Sequence, residues 1–115
     1  MTRHRDIVPL GGMLDTCHRL ASITANKSRA DFDADETLQD ALTHLLQRIG
    51  RNAERVSDEA RTQHPEIDWP HVVSLQTRVS LDYKTIIPDA VWFGATVEVP
   101  CLLTALEAFM PSDPP

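Results

Sequence analysis

Arg48, Arg51 and Arg55 recur at spacings of three and four, on one helical face turned away from the leucines around them. Arginine forks onto phosphate oxygens, so one reading is a stripe that contacts a phosphate backbone. The other is a solvated face, with Glu54, Asp58 and Glu59 near enough in sequence to pair with the cations. The chain carries 11 basic and 17 acidic residues, a net charge of −6. That balance favours the solvated face and repels polyanions at long range. A nucleic-acid site on such a chain requires a local basic patch.

The remaining chemistry-bearing residues exclude several site classes. Cys17 and Cys101 are the only cysteines. Neither belongs to a CxxC pair, and Cys17-His18 are adjacent rather than at ligand spacing, so no zinc site or other metal is expected. Cys17 falls on an apolar helix face and reads as a small core residue. Gly11-Gly12 follows no strand and sits in no GxGxxG pattern, so it is not a phosphate loop. Asp31 to Glu36, DFDADE, lacks the glycine and the distant glutamate of an EF-hand loop and reads as a solvated connector. No cofactor is implied.

The elements that position these residues are helices. Asp6 can cap a first helix, with Pro9 in its first turn and Ile7, Leu10, Leu14, Cys17 and Ala21 on its apolar face. Ser28 and Asp31 form an S-x-x-D capping box that opens a short turn or helix. From about Glu36 to Gln63, Leu38, Leu42, Leu45, Ile49, Ala53, Val56 and Ala60 hold one face, predicting a helix of roughly 40 Å. Gly50 inside it costs about 1 kcal/mol against alanine unless another helix comes close there. His64-Pro65 stops that run. Asp68 caps the next helix with Pro70 in its first turn, and Val72, Leu75 and Val79 carry it to about Leu81. Pro88 opens the last helix, whose face is Val91, Trp92, Ala95, Val99, Leu102, Leu103 and Leu106, with a kink expected near Thr96 from Pro100. There is no β-type alternation of useful length and no repeat. At 115 residues this predicts one all-α domain over 1–110, a four- to five-helix bundle, followed by a disordered tail over 111–115. No apolar run approaches a membrane span, and the N-terminal residues show no signal-peptide core, so a cytosolic protein is expected.

Ile49-Gly50, Pro65-Glu66-Ile67-x-Trp69, Tyr83 and Val91-Trp92 carry a more specific signal. In that order the chain resembles HEPN-fold proteins of the HepT type, over about Arg5 to Phe109. The resemblance implies an antiparallel HEPN bundle and a homodimer. It also implies pairing with an MNT-type nucleotidyltransferase in a toxin–antitoxin system. The family signature Arg-Asn-x-x-x-His-x-Tyr closes the helix after the Pro-Glu-Ile stretch. With its tyrosine on Tyr83, the arginine falls on Gln76, the asparagine on Thr77 and the histidine on Leu81.

The resemblance implies metal-independent RNA cleavage, in which the 2′-hydroxyl attacks the adjacent phosphate. A histidine moves protons and an arginine neutralises the charge developing on phosphate oxygens. Leu81 has no proton to move, and Gln76 donates a hydrogen bond without charge. Loss of one such group commonly costs about 10²–10⁴ in rate. The expectation is therefore a degenerate ribonuclease centre and a protein that acts by binding its nucleotidyltransferase partner or RNA. Arg48, Arg51, Arg55 and Arg78 are the candidate RNA contacts. Tyr83 is the position at which the partner would attach AMP; alternatively it only closes the helix end. Two other readings stay open. One is an active, rebuilt endoribonuclease using Arg78, Tyr83 and His71, which requires those side chains to converge within a few ångströms. Asp82 is nearby, but a carboxylate of ordinary pKa is a poor acid at neutral pH. The other is a helical interaction module without RNA function.

Overall fold

The computed structural model of the protein describes residues 4–82 and 84–110. Two expectations, the role of Tyr83 and a disordered tail over 111–115, lie outside the described residues. The chain runs through α1 (His4–Thr24), α2 (Arg29–Asp33), α3 (Glu36–Glu54), α4 (Asp58–Gln63) and α5 (Trp69–Val73). A 3₁₀ turn over Ser74–Gln76 follows α5, and after a loop come α6 (Pro88–Phe93), a π-helical stretch (Gly94–Glu98) and α7 (Val99–Phe109). Among the described residues the only extended pairing is one antiparallel bridge, Ser80 with Ile86. The fold is all-α, a HEPN-like bundle as expected.

Local chemistry explains most of the helix starts. Ser28 and Asp31 form the reciprocal box: Asp31 N donates to Ser28 Oγ at 3.1 Å, and Ser28 N donates to Asp31 Oδ2 at 2.8 Å. Asp35 accepts from Leu38 N at 3.0 Å and starts α3. With Asp33 paired to Arg29 at 2.8 Å, the acidic connector is used up in caps and an ion pair. Among the described residues no cluster of histidine, cysteine or carboxylate is arranged to hold a metal ion.

The core lies between α1, α3 and the last helical rod. Leu42, Leu46, Ile49 and Ala53 of α3 are fully buried, as are Val91 and Leu106. Asp6 near the start of α1 meets Ser57 beyond the end of α3, so α1 and α3 run antiparallel. The buried stripe of α1 is Leu10, Met13, Cys17 and Leu20, whereas Ile7 is 50% exposed, which corrects the face expected there. The first half of α1, from Ile7 to Leu14, holds no polar side chain, so periodicity there does not announce which side its neighbour takes.

Three further expectations are corrected. The long helix ends at Glu54 and restarts at Asp58. The Arg61 guanidinium donates to the carbonyls of Ala53 (3.0 Å), Val56 (3.1 Å) and Glu54 (3.2 Å), which satisfies the end of α3 from a second helix. Asp6 lies inside the first turn rather than capping it. Its buried carboxylate accepts from Ser57 N at 2.9 Å and Ser57 Oγ at 2.7 Å and so anchors the restart. Finally, Pro88–Phe109 is one continuous rod of 22 residues, long and apolar enough by length and composition to cross a bilayer. In sequence Glu98 and Pro100 break its apolar run; in the fold one of its faces, Val91, Ala95, Val99, Leu102 and Leu106, is core. Pro100 has no N–H to give, and the π-helical stretch just before it absorbs that loss.

Candidate functional site

The segment from Asp68 to Ile87 is built by short-range bonds and one close crossing. Asp68 accepts from His71 N at 3.1 Å and caps α5, as its position before Pro70 predicts. The helix does not continue to Leu81. It tightens into the 3₁₀ turn at Ser74–Gln76, because the chain there presses directly on α3. A Cβ on Gly50 would stand 2.8 Å from Gln76 N and 3.0 Å from Val73 O, so the glycine is the crossing point expected of it. Beyond it, Ile87 N donates to Val79 O and Leu81 N to Thr85 O, both at 2.8 Å. Asp82 closes this small loop by accepting from Lys84 N at 2.7 Å and Thr85 N at 2.8 Å. Those two backbone bonds, Lys84 first, hold its carboxyl below the usual range. Asp82 is thus ionised and is no acid at neutral pH.

Gln76 points its amide at α3, where Nε2 donates to Glu54 Oε2 at 2.9 Å. Glu54 therefore serves Gln76 and does not pair with the arginine stripe beside it. Leu81 is 75% exposed, an aliphatic side chain in water with nothing to exchange. Thr77 is exposed. Positions 76 and 81 together supply one neutral hydrogen-bond donor, already engaged, and no proton-transfer group.

His71 and Arg78, seven residues apart in sequence, are brought together by a residue that sequence reasoning missed. Glu98 takes Arg78 in a two-pronged grip, Nη1 on Oε1 and Nη2 on Oε2, each 2.8 Å. The same Oε2 receives His71 Nε2. Arg78 Nε donates to Ser74 Oγ at 2.7 Å, and Nη2 also reaches the His71 carbonyl at 3.3 Å. With His71 Nε2–H donating to Glu98 Oε2, the 3.1 Å approach of Arg78 Nη2 to that nitrogen is a contact between two donors sharing one carboxylate. Burial alone would raise the Glu98 carboxyl; the bonds and charges of Arg78 and His71 outweigh it and hold the group below its ordinary range. The signal for Glu98 was its isolation, one carboxylate within an apolar helical run just before a proline.

This cluster forms the polar end of a groove of about 350 Å³, whose walls include Val72, Leu75, Phe93, Val97 and Leu102. Phe93 and Val97 are 54% and 46% exposed at its edge. The convergence required of a rebuilt centre is met for His71 and Arg78. However, most of the five Arg78 donors are spent on Glu98, Ser74 and the His71 carbonyl, and its charge is balanced. The cluster is a clamp that ties the 76–81 segment to the π-helical stretch. A phosphate would have to displace Glu98 to use Arg78.

The second candidate group lies apart from this cluster. Arg48, Arg51 and Arg55 line a groove of about 450 Å³ with Asn52 of α3 and Val8 and Gly12 of α1. All three arginines are exposed. Among the described residues no carboxylate is paired with them, so the expected pairing with Glu54, Asp58 and Glu59 does not occur.

Comparison with curated proteins and with solved structures returns no match. A family model, described as Ribonuclease HepT-like, matches residues 13–109. That span takes in α3 with its Gly50 crossing, the segment bearing positions 76 and 81, and the whole rod that supplies Glu98. The chain belongs to the HepT-like ribonuclease family.

Proposed function

We propose that this protein is the HEPN-type member of a toxin–antitoxin pair whose ribonuclease centre has lapsed, and that it works by binding. A HEPN-type function in the general sense follows from the family. The narrower reading rests on one observation: the two positions that should carry a guanidinium and an imidazole hold Gln76, bonded to Glu54, and Leu81, exposed and aliphatic. Neither can neutralise a developing phosphate charge or move a proton. In this reading the protein is a cytosolic homodimer whose counterpart is an MNT-type nucleotidyltransferase or RNA, and Tyr83 is the site at which the nucleotidyltransferase adds AMP.

The test is cleavage of bulk RNA by the purified protein in the presence of a metal chelator. The wild type is expected to be inactive. A Gln76→Arg/Leu81→His double variant is expected to gain metal-independent cleavage by at least 10²-fold, since each restored group commonly accounts for about 10²–10⁴. A second reading, a ribonuclease rebuilt around His71 and Arg78, is favoured by their meeting at Glu98. Wild-type cleavage that survives chelation and disappears in His71→Ala would establish it and sink the lapsed centre.

A further inference from the structure

We propose that the arginine groove between α1 and α3 receives an acidic amphipathic segment of another protein. The proposal stands whether or not the 76–81 segment cuts RNA, because it concerns a different groove. Arg48 and Arg51 of α3 and Arg55, its C-cap residue, span about 10 Å at 1.5 Å per residue. What sets them apart in a chain of net charge −6 is that three cations neighbour one another on a single face with no carboxylate partner among the described residues. They repel one another, and a ligand bearing carboxylates at matching intervals relieves that repulsion.

The groove is also preorganised. At Gly12 a Cβ would come 2.8 Å from Asn52 Nδ2, so α1 lies tight against α3 and the Asn52 amide is held in the groove. Beside the cations Val8 is 62% exposed, and Ile7, its neighbour on α1, is 50% exposed. A ligand with apolar as well as acidic side chains therefore uses the whole surface.

Nucleic acid fits less well. Among the described residues no aromatic side chain lines the groove, so none of them offers bases a stacking platform. A strand longer than about one Debye length, roughly 10 Å at 0.1 M salt, would run on over an acidic protein. A second copy of the chain is also a poor occupant through its acidic connector. Asp31 is committed to a capping box, Asp33 to Arg29 and Asp35 to the start of α3.

The probe is a synthetic helical peptide with glutamates at i, i+3 and i+7 and leucines beside them, followed by fluorescence anisotropy at low salt. It is expected to bind, to weaken at higher salt, and to lose at least tenfold when its leucines become serines. Arg51→Ala should weaken binding about fivefold and the triple alanine variant at positions 48, 51 and 55 more than a hundredfold. Lys27→Ala, a surface cation between α1 and α2, should leave it unchanged. The arginines are exposed, so the variants should melt like wild type; were the triple variant unfolded, the three single variants carry the test. Absence of peptide binding, or binding indifferent to the arginines, overturns the proposal. So does a uridine dodecamer that binds more tightly than the peptide, which would make this a nucleic-acid face. A change in the sedimentation of the free protein on arginine removal would mark a self-association face and overturn it likewise.

Discussion

Replacing Gly50 by alanine isolates the contact that sets the 76–81 segment on α3. In a helix interior this change is normally favourable by about 1 kcal/mol, because alanine has less backbone freedom to lose. Here the new methyl would stand 2.8 Å from Gln76 N, 2.9 Å from Gln76 Cγ and 3.0 Å from Val73 O. Two of the three obstacles are backbone, so no rotamer change clears them. The 3₁₀ turn must lift from α3 by several tenths of an ångström, which loosens Leu75 and strains the Gln76–Glu54 bond. Overpacking of this kind costs roughly 1–3 kcal/mol, and with backbone in the way we place it at or above the upper end. The net expectation is a loss of about 2 kcal/mol. For a domain of this size that lowers Tm by about 8 °C. Gly11 supplies the control: nothing lies within 4 Å of the place its added methyl would take, so Gly11→Ala should stabilise by up to about 1 kcal/mol. Thermal melts and urea titrations followed by circular dichroism measure both variants. If Gly50→Ala melts at or above wild type, α3 and the 3₁₀ turn are not in contact there, and the placement of Gln76 fails with it.

The Glu98 clamp makes a pH-dependent prediction. Its carboxyl is held low in the fold, so its contribution is complete above the unfolded value, about 4.3, and is lost as pH falls through the lower folded value. Glu98→Gln should cost roughly 1–3 kcal/mol at pH 7, and the gap to wild type should narrow from pH 5 to pH 3; a gap that stays constant down to pH 3 counts against the clamp. The two thiols should separate cleanly in reactivity. Burial first, and the charge of Glu107 second, push Cys17 up to about 12, while Cys101 is exposed. A thiol-reactive chromophore should therefore report one fast equivalent in the native protein and the second only in denaturant, and two fast equivalents would contradict the buried position of Cys17.

Features that depend on neighbours in the chain are legible without the fold. The capping box at Ser28–Asp31, the cap at Asp68, the start at Pro88 and the stripe of α3 are set by interactions spanning a few residues. Gly50 is readable as a crossing because nothing local favours glycine in mid-helix. The frame that puts Gln76 and Leu81 at the signature positions also needs only the order of residues, and so does the conclusion that neither moves a proton. The Glu98–Arg78–His71 clamp is not readable, since Arg78 and His71 stand 20 and 27 residues from Glu98. Neither is the break after α3, held by a contact across 51 residues between Asp6 and Ser57. The helix expected to reach Leu81 fails for the same reason: its periodicity is sound, but pressure from α3 at Gly50 and the bridge between Ser80 and Ile86 outweigh local preference.

Sequence alone thus determined the helical class, the caps at Ser28 and Asp68 and the absence of a proton-transfer group at positions 76 and 81, because side-chain identity and short-range bonding carry those. Tertiary structure alone decided which charges meet and which stay unpaired. Helix periodicity leaves rotation and neighbour undefined, and only packing chose that Arg78 should be neutralised while Arg48, Arg51 and Arg55 have no carboxylate partner among the described residues.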